Sequence, residues 1–169
     1  GLADLRATSP EVWKAWQIGW ACGLRLGEIR WLRWDNLEQR RGNWFFNLTE
    51  SHTHAGTKGK EDRRVAVPEW LACDLKGMKT DGRYIVAGSD TWRRHNLGKE
   101  ISAFMRGQGW QRMQTTHELR KHLGAQIATQ TGNLYQVMKI LGQKDYKTIL
   151  ETYEALADYP EYVVEMPAG

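Results

Sequence analysis

Apolar residues at helical spacing run through most of this chain, and this spacing limits the possible fold more than any other feature. Trp13, Trp16 and Trp20 recur three and four positions apart, behind the helix-start signal Ser9-Pro10-Glu11 and ahead of Gly23. The same spacing recurs in later segments, which lie at 24–32, 71–78, 97–105, 115–132, 134–141 and 149–156. The pattern predicts a mainly α-helical protein.

One region interrupts the helical pattern. The aromatic run Trp44–Thr49 and the run Arg64–Val67, which ends at Pro68, both favour β-strands. A glycine-containing turn at 55–60 separates them and predicts a small antiparallel sheet, while Tyr84–Val86 is a further candidate for a short strand. The expected fold class is mainly α with a small antiparallel β-sheet (α+β), and a length of 169 residues suits one domain.

Charge is distributed unevenly along the chain. The formal net charge is +4, from 24 basic and 20 acidic side chains. Residues 145–169 contain six acids and one base and so carry −5, which leaves +9 on the residues before them. A basic body with an acidic end favours a polyanionic partner for the body.

Composition argues against two other kinds of protein. No apolar run approaches the roughly 18–20 residues that span a bilayer, so we expect no membrane partner. The only cysteines, Cys22 and Cys73, form neither a disulfide framework nor a metal-binding motif, which favours a reducing compartment.

Two residue pairs are candidates for chemistry, although each has an ordinary explanation when taken alone. His117 and Arg120 lie three apart, so on a helix they are neighbours that could converge on one phosphate or simply face solvent. Arg25 stands at a predicted helix start with Glu28 one turn later. That carboxylate would either orient the guanidinium or form a surface ion pair of little energetic value.

Single residues and basic surfaces add to these candidates. Tyr153 shares the apolar spacing of its helix, as a half-buried core tyrosine would, and Lys58 lies in a turn where lysines are usually solvated. The hairpin bases and the basic stretch 91–121 are predicted to contact a nucleic-acid backbone. The residues assigned to DNA contact are Lys60, Arg63, Arg64, Arg93, Arg94 and Lys121.

Taken in order, these elements resemble the catalytic domain of the tyrosine recombinases, the phage integrase family. They comprise Gly-Leu-Arg-Leu-Gly-Glu-Ile-Arg-Trp-Leu-Arg-Trp-Asp at 23–35, a lysine-bearing hairpin, His-x-x-Arg at 117–120, Leu-Gly at 141–142 and a later tyrosine. The resemblance covers nearly the whole chain, from Trp13 to Tyr153, and implies the tyrosine-recombinase catalytic-domain fold.

The resemblance also implies an activity: site-specific cutting and rejoining of DNA through a covalent 3′-phosphotyrosine, for integration or excision of a phage or mobile element. It implies that Arg25 and Arg120 are the two catalytic arginines and that Lys58 is the hairpin lysine. His117 would be the catalytic histidine, Tyr153 the nucleophile and Glu28 the acidic support residue. The implied chemistry needs neither metal nor other cofactor. We accordingly interpret His52 and His54 as polar hairpin residues that contact DNA.

Three positions depart from the family pattern. Gln143 follows Leu-Gly where the family usually has His or Trp, but its amide can still donate a hydrogen bond to a phosphate, so we keep it among the catalytic residues. Lys121 replaces a second His that often follows the arginine. Tyr153 lies ten residues after Gln143, one more than the commonest spacing, and Tyr146 is the fallback nucleophile.

The resemblance extends to organisation and partners. We expect a catalytic domain at 1–156 and an acidic, partly apolar tail at 157–169, without the N-terminal DNA-binding domain that family members usually carry. The expected partner is double-stranded DNA, with a tetramer formed on synapsed sites through the tail and a monomer or weak oligomer otherwise. The expected location is the cytoplasm of a bacterium, near its nucleoid, for a bacterial or phage-encoded protein.

Two alternatives remain open from the sequence. One is a DNA-binding module without catalysis, with 126–132 and the following helix forming a helix-turn-helix; a degenerate, inactive recombinase is its strongest form. The other is a type I topoisomerase that uses the same tyrosine chemistry to relax DNA.

Overall fold

The computed structural model describes residues 1–49, 62–111, 115–142 and 147. Within these residues the helices are α1 (Leu2–Thr8), α2 (Pro10–Cys22), α3 (Leu26–Trp31), α4 (Glu69–Gly77), α5 (Asp90–His95), α6 (Leu97–Gly107), α7 (Thr115–Thr131) and α8 (Leu134–Leu141). The strands are β1 (Leu37–Arg40), β2 (Asn43–Leu48) and β3 (Arg63–Val67). No helix in the described ranges is long and apolar enough to cross a membrane.

Helix α2 forms the centre of the core. Proline at its first position suits the helix start, and Gly23 ends it in the left-handed conformation with φ 63°, as the sequence predicted. Every residue from Val12 to Trp20 is buried, so α2 is covered on all sides. Trp16 and Trp20 stack with ring centroids 5.2 Å apart, and Trp20 stacks in turn on His122 of α7 at 4.2 Å.

The three strands form one antiparallel sheet in the order β1-β2-β3. Phe46 of β2 faces Leu37 on one side and Val65 on the other, and it is completely buried. The tight turn between β1 and β2 places Arg41 and Gly42 at positive φ, 50° and 83°. This combination is typical of a two-residue hairpin turn.

The chain divides into two compact units, residues 1–123 and 124–169. In the second unit, Gly124 lies against α8: a Cβ atom there would come within 3.2 Å of Leu141 and 3.3 Å of Val137. Gly132 and Gly142 end α7 and α8 in the left-handed conformation. The predicted helix at 149–156 lies outside the described residues.

The mainly α fold class with a small antiparallel sheet is confirmed. The structure corrects several details. The strand expected at Tyr84–Val86 is reduced to one isolated bridge between Tyr84 and Arg33. Strand β1 was not predicted, because its residues Leu-Glu-Gln-Arg include no aromatic or β-branched side chain. It forms because its backbone pairs with that of the strongly β-prone strand β2. Helices α1 and α5 are additional to the predicted elements.

Candidate active site

The turn between α2 and α3 presents Arg25 to solvent. Arg25 is the N-cap residue of α3, with an extended backbone. Its backbone N–H donates to Oε2 of Glu28 at 2.7 Å, and its Nη1 donates to Oε1 of the same carboxylate at 3.1 Å. The Arg25 side chain is 42% exposed, so it remains accessible to a ligand.

A second arginine holds the same carboxylate from the sheet. Arg63, the first residue of β3, donates from Nη1 to Oε1 of Glu28 at 2.8 Å and from Nη2 to Oε2 at 3.0 Å. The Glu28 side chain is 8% exposed, so this is a largely buried, two-pronged ion pair. Glu28 therefore links α3 to the sheet.

The ionisation of Glu28 follows from these partners. Burial alone would raise the pKa of its carboxyl, but hydrogen bonds and charge from Arg63, with smaller contributions from Arg25, lower the pKa below its ordinary value. Glu28 is therefore ionised at neutral pH.

Helix α7 brings Arg120 to the same turn. Leu119 packs on α2 at Gly19, where a Cβ atom would lie 3.0 Å from Leu119 Cδ1. The next side chain, Arg120, is buried and donates from Nη1 to the backbone carbonyl of Gly23, two residues before Arg25. Burial and then the positive charge of Arg25 lower the pKa of Arg120 to about 10. Arg120 thus stays charged at neutral pH.

Arg25, Glu28, Arg63 and Arg120 form what we call the ionic cluster. Two of its guanidinium groups are bonded to one carboxylate, and the third, Arg120, lies close enough for its pKa to respond to the charges of the other members. Such a group of guanidinium ions in a partly buried place suits an anion with two charged or partly charged oxygens, as in a phosphodiester.

His117 lies at the surface, one turn before Arg120 on α7. Partial burial, followed by the charges of Lys121 and Arg120, lowers its pKa below the ordinary value for histidine; Glu118 opposes this and Arg25 adds to it. His117 is therefore neutral at physiological pH and able to accept a proton.

The residues assigned to DNA contact occupy different environments. Arg64 is 51% exposed and lies 3.7 Å from Glu38, and Arg94 is exposed, with its guanidinium 5.0 Å from the Trp31 ring centroid. Lys121 pairs with Glu118 at 3.0 Å.

Arg93 and Arg63 are placed unlike the other bases. Arg93 is buried, donates to the carbonyl of Gly88 at 2.7 Å and lies over the Tyr84 ring at 3.9 Å. Arg93 is therefore too buried for the contact with DNA that the sequence predicts. Arg63 is hydrogen-bonded to Glu28 through both of its terminal nitrogens.

The remaining predicted site residues lie outside the described ranges. They are the hairpin residues His52, His54, Lys58 and Lys60, the predicted phosphate donor Gln143, the tyrosines Tyr146 and Tyr153, and the tail 157–169. Among the residues that the structure does describe, no group of three or more His, Cys, Asp or Glu side chains is arranged to hold a metal ion.

Sequence reasoning missed two contributors to the site. Arg63 was assigned to DNA, and only its position directly opposite the α3 carboxylate in the fold shows its ion pair. His122, two residues after Arg120, stacks on Trp20, and its Nε2 is buried without a hydrogen-bond partner among the described atoms. No pattern in the sequence signals either contact, since the partners are 35 and 102 residues away.

The model of the phage integrase family matches residues 13–159. No curated protein matches the chain by sequence.

Several solved structures share the fold. The XerA recombinase is 17% identical with a TM-score of 0.68, over 93% of this chain and 58% of its own. The Tn1549 transposon integrase in complex with circular intermediate DNA is 13% identical with a TM-score of 0.64, over 93% and 60%. A lambda integrase dimer bound to a COC′ core site is 14% identical with a TM-score of 0.61, over 99% and 60%.

The chain thus spans about three fifths of the length of these structures. The family model covers most of the chain. The chain belongs to the phage integrase family, the tyrosine recombinases.

Proposed function

We propose that this chain is the catalytic part of a site-specific recombinase that cuts and rejoins DNA strands through a covalent 3′-phosphotyrosine. The observation that carries the proposal is the ionic cluster. It combines an accessible guanidinium, Arg25, with a buried one, Arg120, at a single turn. Fixed charge in a partly buried site stabilises negative charge that builds up in a transition state.

The two arginines bind the scissile phosphate from different depths in the site. Arg25 contacts one non-bridging oxygen of the scissile phosphate from the solvent side, and Arg120 contacts the other from the floor of the site. Because both guanidinium groups stay charged at neutral pH, they stabilise the crowded phosphorane without any proton change of their own.

The covalent step then needs a proton acceptor and a proton donor. The Tyr153 phenol oxygen forms a bond to phosphorus while the bond from phosphorus to the 5′-oxygen breaks. A free tyrosine phenol has a pKa of about 10, so its proton must pass to a base, and neutral His117 takes it. Lys58 gives a proton to the departing 5′-oxygen, and Gln143 donates a hydrogen bond to the phosphate. Attack by a free 5′-hydroxyl on the phosphotyrosine reverses the step and rejoins the strand.

The finer features of the proposal concern the setting. The DNA-contacting set comprises Lys60, Arg64, Arg94 and Lys121, whose contacts with phosphates make binding salt-sensitive. The DNA-bound forms of the Tn1549 and lambda integrases support double-stranded DNA as the partner. We include in the proposal a tetramer on synapsed sites, assembled through the tail 157–169, and a role in integration or excision of a phage or mobile element in the bacterial cytoplasm.

Covalent capture tests the activity. The chain is incubated with a labelled pool of nicked duplexes whose central sequence is randomised, and adducts that survive denaturing detergent are isolated and sequenced. The proposal predicts an adduct with an enriched sequence, lost in Tyr153→Phe and retained in the matched control Tyr135→Phe, an exposed tyrosine on α8. An adduct that persists in Tyr153→Phe but disappears in Tyr146→Phe would move the nucleophile.

Two further outcomes separate the rival functions. Sequence-enriched binding with no adduct would make the chain a DNA-binding module. With an adduct in hand, two duplexes that carry the captured sequence are mixed and assayed for strand exchange, and a supercoiled plasmid is assayed for relaxation. Exchange supports the recombinase, and relaxation without exchange supports the topoisomerase.

A further inference from the structure

We propose that Arg63 is a positioning residue of this site, which holds Glu28 in place and through it fixes Arg25, and that it does not contact DNA. This inference rests on the proposed function, since it assigns Arg63 a role in DNA cleavage. From the sequence, Arg63 is predicted to contact the DNA backbone because it lies in a basic hairpin, and the positioning role replaces that prediction.

The carboxylate of Glu28 is shared evenly between the two arginines. Its Oε1 accepts from Nη1 of Arg63 at 2.8 Å and from Nη1 of Arg25 at 3.1 Å. Its Oε2 accepts from Nη2 of Arg63 at 3.0 Å and from the backbone N–H of Arg25 at 2.7 Å. Rotation of the carboxylate would therefore break bonds to both arginines at once.

Arg63 sets the plane of that carboxylate. A planar guanidinium with two parallel hydrogen bonds keeps both carboxylate oxygens in its own plane, which a single point charge cannot do. In this way β3 fixes the position of Arg25, which is the N-cap residue of α3. Loss of Arg63 leaves Glu28 free to turn, and both the backbone and the side chain of Arg25 lose a fixed partner.

The surroundings of Arg63 turn its guanidinium toward Glu28 and shield most of it from solvent. Both terminal nitrogens are bonded to Glu28, and its Nε is buried with no hydrogen-bond partner among the described atoms. The side chain is 18% exposed. Arg64, the next residue, is 51% exposed and has only a 3.7 Å contact to Glu38, so it is the matched position for a DNA-contacting arginine.

The test compares Arg63→Met, Arg63→Lys and the control Arg64→Met on the captured duplex. Cleavage is measured as the single-turnover rate of adduct formation at saturating DNA, and affinity is measured separately over a range of salt concentrations. Arg63→Met should lower the cleavage rate about 100-fold, the size of loss that a small misplacement of a catalytic group causes. Its DNA affinity and the salt dependence of that affinity should not change.

The two other variants sharpen the expectation. Arg63→Lys keeps the charge but only part of the two-pronged geometry, so it should recover part of the lost rate. Arg64→Met should show the opposite split: a near-normal cleavage rate at saturation, weaker binding, and a salt slope reduced by about 0.9, the value for one lost phosphate contact.

A double-mutant cycle with Glu28→Gln tests whether Arg63 acts through Glu28. If Arg63 acts only through Glu28, Arg63→Met should cost little further rate when Glu28 is already Gln. The pH profile gives a second check. Without Arg63, burial raises the pKa of Glu28, so the ionised form is lost as pH falls through that raised value. The rate deficit of Arg63→Met relative to the unmodified chain should therefore grow toward acidic pH.

The outcomes are distinct. If Arg63→Met cleaves at the unmodified rate, or binds DNA more weakly with a reduced salt slope, the positioning role is wrong while the proposed function stands. Additive losses in the cycle also overturn it. If Arg63→Met does not fold, Arg63→Lys carries the same measurements, and full activity of that variant overturns the two-pronged requirement. Absence of any adduct with the unmodified chain overturns the proposed function, and the role of Arg63 with it.

Discussion

Helix α2 and the ionic cluster are neighbours in the fold but are held by different interactions. From Val12 to Trp20 every residue of α2 is buried, and most of its contacts are apolar or aromatic, such as the Trp16–Trp20 stack. Its one buried charge, Lys14, pairs with Glu11 at 2.7 Å within the same helix. The ionic cluster joins α3, β3 and α7 through charged groups that only the complete fold brings together.

This difference separates stability from chemistry. Apolar packing in α2 responds to volume and is largely insensitive to charge, whereas the ionic cluster responds to charge and to bond direction. We therefore expect substitutions in α2 to change the free energy of unfolding with little change in cleavage. Substitutions in the ionic cluster should change cleavage, and they should change stability wherever they leave a buried charge unpaired.

The largest effect is expected from removing the charge of Glu28. Glu28→Gln removes the carboxylate that pairs with Arg25 and Arg63, and breaking a buried ion pair on one side costs about 3–5 kcal/mol. Urea denaturation measures this loss. The control is Glu38→Gln, because Glu38 also pairs with two arginines, Arg40 and Arg64, but its side chain is 28% exposed against 8% for Glu28. Its loss should stay within about 1 kcal/mol, and equal losses would contradict a buried cluster.

The next effect concerns Arg120 and the rate of cleavage. Arg120→Lys keeps a positive charge but loses the planar fork, so we expect adduct formation to slow by about 100- to 1,000-fold, as for removal of one transition-state donor. Arg106→Lys, an exposed change on α6, is the matched control and should leave the rate unchanged. A near-normal rate for Arg120→Lys would show that a point charge is sufficient at this position.

A smaller effect tests the apolar side of the comparison. Ile18 is fully buried in α2, and Ile18→Val removes one methylene, which should lower the free energy of unfolding by about 0.5–1.5 kcal/mol. The adduct rate should remain unchanged below the melting temperature. A rate loss as large as that of Arg120→Lys would mean that packing in α2 controls the site directly.

The smallest effect is a change in pH dependence. Burial lowers the pKa of His122 below its value in the unfolded chain, so the unfolded state takes up a proton more readily as pH falls. Stability is therefore lost as pH falls below the unfolded pKa of about 6.5. His122→Phe keeps a ring against Trp20 and should reduce this loss, whereas exposed His95→Phe should not. Identical acid curves for the unmodified chain and His122→Phe would contradict the buried position.

The same division explains what could be predicted from the sequence. Spacing of Trp13, Trp16 and Trp20 and the stop at Gly23 predict α2 because these signals are local. Strand β1 escaped prediction because its pairing comes from its neighbour β2.

For the site, motif order assigned Arg25 and Arg120 to one catalytic centre, and the structure places both at the same turn, while their roles stay a prediction. The carboxylate that follows Arg25 by one turn also matched its observed position. The partner of that carboxylate on β3 could not be read from the sequence, because the ion pair joins residues 35 positions apart and basic residues at 63 and 64 look alike until their exposure is known.

The central claim is that the ionic cluster holds the scissile phosphate. The most direct measurement is a crystal structure of the Tyr153→Phe chain on the captured duplex. We predict non-bridging oxygens of that phosphate within about 3 Å of the guanidinium groups of Arg25 and Arg120, with Arg63 still bonded to Glu28. This role of the ionic cluster would be contradicted if other basic side chains held the scissile phosphate and neither Arg25 nor Arg120 contacted it.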